Sequence, residues 1–199
     1  MPIARMKKIS ASDFWQWAYS DFMSNALRGV LAEYIVATAA KCTHQQRTEW
    51  DAYDLHTEDG LKTEVKCAAY LQSWAQKSHS PMRFDIEPKR GWDAKTNLNA
   101  KESSRSADLY VFCVFAAKEK EAANPLDLSQ WFYLVCPTSL LNEQFGSQKS
   151  VGLSSLEALG LERLSYDALG AQISHIGANH AEATRHCASI GLDVPHFEN

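Results

Sequence analysis

The residues whose types and spacing could support chemistry lie in one short stretch, residues 49–74. Glu64 and Lys66 stand two apart in this stretch, and Asp54 precedes them. Carboxylates are ligands that Mg²⁺ accepts readily, and a lysine supplies positive charge where a phosphate gains negative charge. Two carboxylates beside a lysine on rigid backbone therefore favour a site for Mg²⁺ and a phosphate.

The same stretch predicts a β-hairpin that would hold these side chains. Two strand-like runs flank residues 57–60, where an Asp-Gly pair favours a tight turn because glycine accepts positive φ. Alternation along the second strand places five residues on a face that can be buried: Leu61, Thr63, Val65, Cys67 and Ala69. The opposite face carries Glu64 and Lys66.

The strand before the turn offers two carboxylates, Asp54 and Asp51. Strict alternation puts them on opposite faces, and an ideal four-residue loop would pair the Asp51 face with Glu64. Asp54 has the shorter spacing to Glu64, and we prefer it, with Asp51 as the alternative.

Carboxylate-x-Lys also occurs at residues 87–89 and 93–95. Pro88 interrupts strand geometry in the first of these, and the second lies in a polar loop that fixes neither side chain. The pattern at residues 64–66 is the one in a strand with a buried opposite face.

A helix is predicted at residues 25–41, with Ser24 or Asn25 as its N-cap. Its apolar stripe is formed by Leu27, Val30, Leu31, Tyr34, Ile35 and Thr38. Glu33 lies at the edge of this stripe. It could be a solvated flank, a partner for Arg28 or Lys41, or part of the site.

Further elements complete an α/β pattern. An amphipathic helix is predicted around residues 12–24, with Phe14, Trp17 and Phe22 as packing residues, and a strand at 80–87. The runs 107–116 and 130–136 are apolar enough for strands covered on both faces. Residues 88–106 predict a long loop with at most a short helix. A short helix is predicted at 139–145, closed by Gly146, and helical segments at 156–164 and 166–176.

These elements predict a single domain over residues 1–199. Its core would span about 25–136, with 1–24 and 137–199 as helical extensions. At 199 residues, with 45% hydrophobic and 22% charged residues, the chain is neither disordered nor fibrous. No apolar run approaches the roughly 20 residues of a membrane span, and no signal-peptide core follows the basic N-terminus.

Five widely spaced cysteines without a CxxC pair predict reduced thiols and a cytoplasmic protein. The net charge is −4, but its distribution is uneven: residues 48–76 hold two Lys/Arg against six Asp/Glu, whereas residues 77–105 hold seven against four. That pattern suits a metal site beside a phosphate-contacting surface. It is equally expected of an ordinary solvated surface.

Other candidate sites are weaker. The spacing of His175, His180 and His186 does not align on one helical face, so surface histidines are favoured over a zinc site. Trp74 could stack on a base, although a tryptophan at a strand end more often packs. The chain contains no GxSxG, no phosphate-cradling glycine loop and no dinucleotide fingerprint.

Residues 25–75 resemble the PD-(D/E)xK nuclease superfamily, which has the restriction-endonuclease-like fold. The resemblance rests on Glu33 in a helix, then Asp54, then Glu64-Val-Lys66, with Gln72 shortly after. In element order it extends more loosely to about residue 136. Tyr53 stands where the family has a proline before its aspartate, and this departure leaves the choice between Asp54 and Asp51 open.

The resemblance implies a three-layer fold with a central mixed β-sheet flanked by helices, and a Mg²⁺-dependent phosphodiesterase for which Mn²⁺ could substitute. Asp54 and Glu64 would hold one or two Mg²⁺ ions, and Glu33 would complete the metal shell directly or through water. Lys66 would orient or activate the attacking water. The expected substrate is nucleic acid, with DNA favoured, in restriction, defence or repair, and the chain could act as a homodimer.

Two alternatives belong to other classes of protein. A nuclease-like module could bind nucleic acid or a partner protein without cutting, and a structural protein could carry the charged hairpin on its surface. Metal dependence separates the first from a nuclease. Lack of any affinity for nucleic acid would indicate the second.

Overall fold

A computed structural model describes residues 8–44, 47, 52–93, 98–99 and 101–189. For residues 92–93, 98–99 and 180–189 the description covers the backbone. Within these residues the strands are β1 (Leu55–His56), β2 (Lys62–Ala69), β3 (Arg83–Asp85), β4 (Trp92–Asp93), β5 (Leu98–Asn99), β6 (Leu109–Phe115), β7 (Trp131–Pro137) and β8 (Ser150–Gly152). The helices are α1 (Ala11–Ala18), α2 (Asn25–Ala39), α3 (Thr138–Phe145), α4 (Leu153–Ala158) and α5 (Tyr166–Ser189).

The central sheet has the strand order β1-β2-β6-β7. β2 and β6 run parallel, with Glu64 beside Tyr110 and Lys66 beside Phe112, while β1 and β7 pair antiparallel to their neighbours. β3 pairs with β8, and β4 with β5, in separate two-stranded sheets. β6 is buried along its whole length, as its continuous apolar sequence predicts.

Alternation along β6 divides the core into two layers. Leu109, Val111, Cys113 and Phe115 pack with buried residues of α2 and α5 on one face of the sheet. Tyr110, Phe112 and Val114 pack on the other face, with buried residues of β3, β8, α3 and α4. The predicted α/β architecture, a central mixed sheet flanked by helices, is confirmed. No helix in the described part of the chain is long and apolar enough to cross a membrane.

α2 buries a different face from the one that its apolar spacing predicts. Its buried residues are Arg28, Ala32, Ile35, Val36 and Ala37. Tyr34, expected inside, is 61% exposed. The small side chains of Ala32 and Ala37 let the helix approach its neighbours closely, and close approach outweighs the larger side chains in setting its orientation.

α1 is shorter than predicted and does not pack through its aromatic residues. It begins after Ser10, whose hydroxyl accepts a hydrogen bond from Asp13 N–H, and it ends before Phe22. It has no buried residue, and Trp17 is 84% exposed. The expected packing of Phe14 and Trp17 is therefore wrong, because in the described structure this two-turn helix lies on no apolar surface.

The remaining differences concern short elements. The strand predicted at 80–87 is reduced to three residues, which pair with the unpredicted β8 instead of the central sheet. In residues 88–106 the described part contains β4, β5 and a bridge between Lys89 and Ser104, without the short helix. β3 forms through its distant partner β8, and a local pattern does not encode that partner.

Gly170 is required where α5 crosses α2. A Cβ at this position would overlap the carbonyl oxygen of Ala39, well inside van der Waals contact. We expect Gly170→Ala to lower the free energy of unfolding by about 1–3 kcal/mol, because backbone must shift to admit the methyl group. Gly29 lies in α2, and a Cβ added there would meet nothing within 4 Å, so Gly29→Ala should stabilise by about 0.5–1 kcal/mol. Urea denaturation measures the free energy of unfolding of both variants. Stabilisation of Gly170→Ala equal to that of Gly29→Ala would contradict the close approach of Gly170 to Ala39.

Candidate active site

β2 presents Glu64 and Lys66 on the face predicted for them. Thr63 and Val65 are buried, whereas Glu64 and Lys66 are half-buried on the opposite face. Cys67 is less buried than its neighbours on the apolar face. The strict two-residue period of a strand therefore fixes which side chains reach the site.

The turn before β2 holds the hairpin in register. Gly60 has φ 84°, and its N–H donates to Thr57 O at 3.0 Å. The Thr57 hydroxyl accepts from Leu61 N–H at 3.0 Å. β1 then pairs with the beginning of β2, with Leu55 opposite Thr63, and the described part of β1 goes no further.

Asp54 lies where the described pairing with β1 ends, at the edge of β2 that faces away from β6. Its N–H donates to Thr63 O at 3.1 Å, and its carboxylate Oδ2 accepts from Val65 N–H at 2.7 Å. The Asp54 carboxylate thus accepts the Val65 N–H that a further residue of β1 would otherwise bind. This hydrogen bond fixes the side chain beside Glu64. Asp51, the alternative carboxylate, lies outside the described residues.

Glu64 and Lys66 form an ion pair. Lys66 Nζ lies 2.5 Å from Glu64 Oε1, and each side chain is 19% exposed. Neighbouring groups restrict both side chains in this half-buried position. A cation or a phosphate arriving here would compete with this contact.

Glu33 belongs to the same electrostatic group but has its own partner. Its carboxylate accepts from Arg47 Nε at 2.5 Å and from Arg47 Nη2 at 3.1 Å. Arg47, and not the expected Arg28 or Lys41, is thus its described ion-pair partner. The negative charge of Glu33 still contributes to raising the pKa of Asp54.

The pKa of Asp54 is raised to about 6 from an ordinary 3.8. Burial is the largest cause, followed by the charge of Glu64, while the hydrogen bond from Val65 N–H and the charge of Lys66 act in the opposite direction. Two carboxylates in one half-buried site repel each other when both are ionised. A bound cation would relieve that repulsion.

A cleft adjoins Glu64 and Lys66, and it contains charged residues that the sequence does not connect with them. Its further lining includes Asp85, Glu87, Lys89, Arg105 and Tyr110. Lys89 Nζ lies 2.9 Å from Asp85 Oδ2, and this hydrogen bond raises the pKa of Lys89. Burial and then the charge of Glu64 raise the pKa of Tyr110, so its hydroxyl stays protonated at neutral pH.

These cleft residues had little signal in the sequence. Tyr110 reaches the site because β6 sets it beside Glu64, and the strand register does not follow from a local pattern. Asp85 and Lys89 come from β3 and the segment after it. The pattern at residues 87–89 marks the right segment, but the residue that pairs with Lys89 is Asp85.

Other residues singled out in the sequence lie elsewhere. Gln72 is buried and bonded to Arg28, away from the carboxylates. Trp74 is 55% exposed, so the expected packing at the strand end is wrong. His175 is exposed and contacts Asn179, and the side chains of His180 and His186 lie outside the described part of the chain.

Asp54 and Glu64 lie close enough for the charge of Glu64 to raise the pKa of Asp54, and two carboxylates so placed could share a cation. Among the residues described, no three histidine, cysteine, aspartate or glutamate side chains converge closely enough to hold a metal ion by themselves. The arrangement fits a cation that takes few protein ligands and keeps several waters, as Mg²⁺ does, and does not fit a closed cage.

The comparison with known proteins bears on the same part of the chain. A family model described as bacteriophage T4 endonuclease IV matches residues 11–153. The match includes α2, the whole central sheet and each candidate site residue. No curated protein matches the chain.

Proposed function

The chain belongs to the bacteriophage T4 endonuclease IV family, a nuclease family, and on this basis we propose that it is a Mg²⁺-dependent endonuclease that hydrolyses phosphodiester bonds of DNA. The observation that carries the proposal is the meeting of Asp54, Glu64 and Lys66 at the edge of β2 that faces away from β6. We assign the site to the PD-(D/E)xK type. Restriction, defence and repair are the roles that this type supports.

Asp54 and Glu64 would hold the metal ion, with Glu33 completing its shell directly or through water. A bound Mg²⁺ acidifies water and offsets the charge that builds up on the phosphate. Asp54 is held in place by Val65 N–H, and this bond leaves its other oxygen, Oδ1, for a ligand. Mn²⁺ meets the same requirements and should substitute.

Lys66 would act on the phosphate and the attacking water. Its ammonium lies against Glu64 and can turn to a phosphate oxygen when Glu64 binds a cation. A positive charge at this place stabilises the transition state more than the ground state, because negative charge grows there. Tyr110 lies in the same cleft as a neutral hydroxyl that can donate to the phosphate.

A second function is favoured by the ion pairs themselves. Glu64 is paired with Lys66 and Glu33 with Arg47, as would suit a module that binds nucleic acid or a protein without cutting. The family favours the nuclease, because endonuclease activity gives the family its name. The two functions differ in their need for a metal.

The first test is cleavage of circular single-stranded DNA and of supercoiled plasmid by the full chain. We expect linear or nicked products with Mg²⁺ or Mn²⁺, and none with a chelator, because the two carboxylates require a cation to receive a phosphate. A circular RNA of matched length tests the choice of DNA.

Binding to DNA without cleavage under any of these metals would support the non-cutting module. Cleavage that proceeds unchanged in chelator would contradict the assigned metal dependence.

A further inference from the structure

A second cavity, of about 270 Å³, lies at the end of β2 beyond the carboxylates. Two arginines, Arg28 and Arg83, line it together with Asn25, Gln72 and the end of β2 at residues 67–69. This volume is many times the roughly 10–15 Å³ that one water needs. It can therefore admit a tetrahedral oxyanion with part of its hydration.

Arg28 brings a buried positive charge to this cavity. The residue is 3% exposed, and its Nη1 donates to Met23 O at 2.8 Å. Nη2 donates to the side-chain oxygens of Asn25 and Gln72. Nε has no hydrogen-bond partner, and no described carboxylate lies within ion-pair distance of the guanidinium.

A buried guanidinium with neutral partners and a free N–H is an incomplete arrangement. Burial of a charge is costly unless an opposite charge and full hydrogen bonding accompany it. Cys67 lies against the guanidinium, whose charge and hydrogen bond lower the pKa of its thiol, but burial outweighs both and raises that pKa to about 11. The thiol therefore stays neutral and does not supply the missing negative charge. An anion in the cavity would supply the missing negative charge.

Gln72 orients Arg28 without neutralising it. Its Nε2 donates to Ala69 O at 3.2 Å and to Ser80 Oγ at 3.1 Å. These two acceptors fix the amide so that its oxygen faces Arg28 at 3.1 Å. The guanidinium is thus held rigidly, which lowers the entropy lost when a ligand binds.

Two further features make the cavity positive. Arg83 is exposed, donates Nη1 to Ser150 Oγ at 2.9 Å, and has no described carboxylate within ion-pair distance. Asn25 is the first residue of α2, whose N-terminus carries partial positive charge. This local charge contrasts with the net charge of −4 for the whole chain.

We infer that this cavity binds a phosphate group of a nucleic-acid strand, held by the guanidinium groups of Arg28 and Arg83. The inference rests on the proposed function for the nature of the ligand. Residues 67–69 lie three to five positions beyond Glu64, or roughly 10–17 Å at about 3.3 Å per residue. A strand bound here would continue to the carboxylates within a few nucleotides.

The phosphate could be internal or terminal, and the experiment separates the two. Fluorescence anisotropy in chelator measures binding of single-stranded oligonucleotides with a 5′-phosphate, a 3′-phosphate or neither. The proteins are the full chain, Arg83→Gln, Arg28→Gln and the control Arg163→Gln. Arg163 is exposed, on the far side of the sheet beyond β7. Thermal melting establishes that each variant is folded, and Arg83→Gln, at an exposed position, covers the case in which Arg28→Gln does not fold.

We expect Arg83→Gln to weaken binding about tenfold and to reduce the salt dependence by about one phosphate contact, with Arg163→Gln unchanged. An equal loss for all three oligonucleotides would assign an internal phosphate, and a loss confined to one phosphorylated end would assign a terminal phosphate. Binding by both folded cavity variants with wild-type affinity and salt dependence would overturn the inference. A loss of equal size in Arg163→Gln would also overturn it.

Cleavage with Mg²⁺, measured on the same proteins, separates this inference from the proposed function. Normal binding by the cavity variants, together with metal-dependent cleavage, would overturn the inferred phosphate site and leave the proposed nuclease function standing. Weakened binding by the variants, with no cleavage by the wild type under any metal, would support the cavity and contradict the nuclease.

Discussion

Replacement of Glu64 by glutamine is expected to reduce DNA cleavage by about 10²–10³-fold or more, without unfolding the protein. Glutamine keeps the shape of the side chain but cannot offer a negatively charged ligand to a cation. Glu64 lies on the half-buried face of β2, so the buried face below it is unaffected. The loss should appear in the single-turnover rate constant measured with saturating Mg²⁺.

Lys66→Met should produce a loss of similar size for the complementary reason. Methionine preserves the apolar stem and removes the charge that would stabilise the phosphate as negative charge develops. Lys62→Met is the matched control, because Lys62 lies on the same strand and the same face but does not line the cleft. Full activity in Lys62→Met combined with loss in Lys66→Met would assign the effect to position and not to net charge.

The two changes should not add. Glu64 and Lys66 are in direct contact at 2.5 Å, and residues that act as one unit lose most of their effect with the first substitution. The double variant is therefore expected to cleave about as slowly as either single variant. Retention of more than about a tenth of the wild-type rate by Glu64→Gln, with its fold intact, would contradict the assigned site.

Where the two-residue period of a strand determines which side chains share a face, the sequence is sufficient to predict their placement. The period of two in β2 places Glu64 and Lys66 on one face and Val65 on the other, and the structure agrees. Continuous apolar sequence likewise predicts β6 and β7. The hairpin pattern leaves the choice between Asp54 and Asp51 open, and what fixes Asp54 beside Glu64 is the hydrogen bond that Val65 N–H donates to its carboxylate.

Where packing between elements far apart in the chain determines which residues are buried, the sequence is not sufficient to predict their placement. The orientation of α2 depends on the close approach of Gly170 to Ala39, which no helical pattern contains. Arg28 is buried, although its charge suggests the surface, and its partners include the distant Gln72. Such a position at a cavity, with an unpartnered Nε, is visible only once α2 and Gln72 are placed together.

Asp54→Asn is expected to stabilise the metal-free protein at neutral pH, although it should abolish activity. The carboxyl of Asp54 has a pKa of about 6 in the folded state, against an ordinary 3.8, because burial and the charge of Glu64 disfavour its ionised form. Asparagine keeps an oxygen that can accept from Val65 N–H but carries no charge. The substitution thus removes the repulsion and retains the bond.

The pH dependence follows from the direction of this shift. Between about pH 4 and pH 6 the folded state holds a proton that the unfolded chain has released, so the contribution of Asp54 to stability falls as the pH rises. The full loss is about 3 kcal/mol above pH 6, since one pKa unit corresponds to about 1.4 kcal/mol. Urea denaturation in chelator from pH 4 to pH 8 should show this fall as the difference between wild type and Asp54→Asn. Glu143→Gln, an exposed change in α3, should show no such difference.

Added Mg²⁺ should reverse the order of stability. An ion that binds the folded wild type stabilises it by mass action, by about 4.1 kcal/mol at a concentration one thousand times its dissociation constant, which exceeds the loss of about 3 kcal/mol. Asp54→Asn lacks one of the two proposed ligands and should gain little. Equal stabilisation of both proteins by Mg²⁺ would place the ion away from Asp54. A gain in stability confined to the wild type would mean that the stability lost through carboxylate repulsion is recovered when the cation binds. This is the result expected if the site is arranged to bind a cation at the expense of the stability of the metal-free protein.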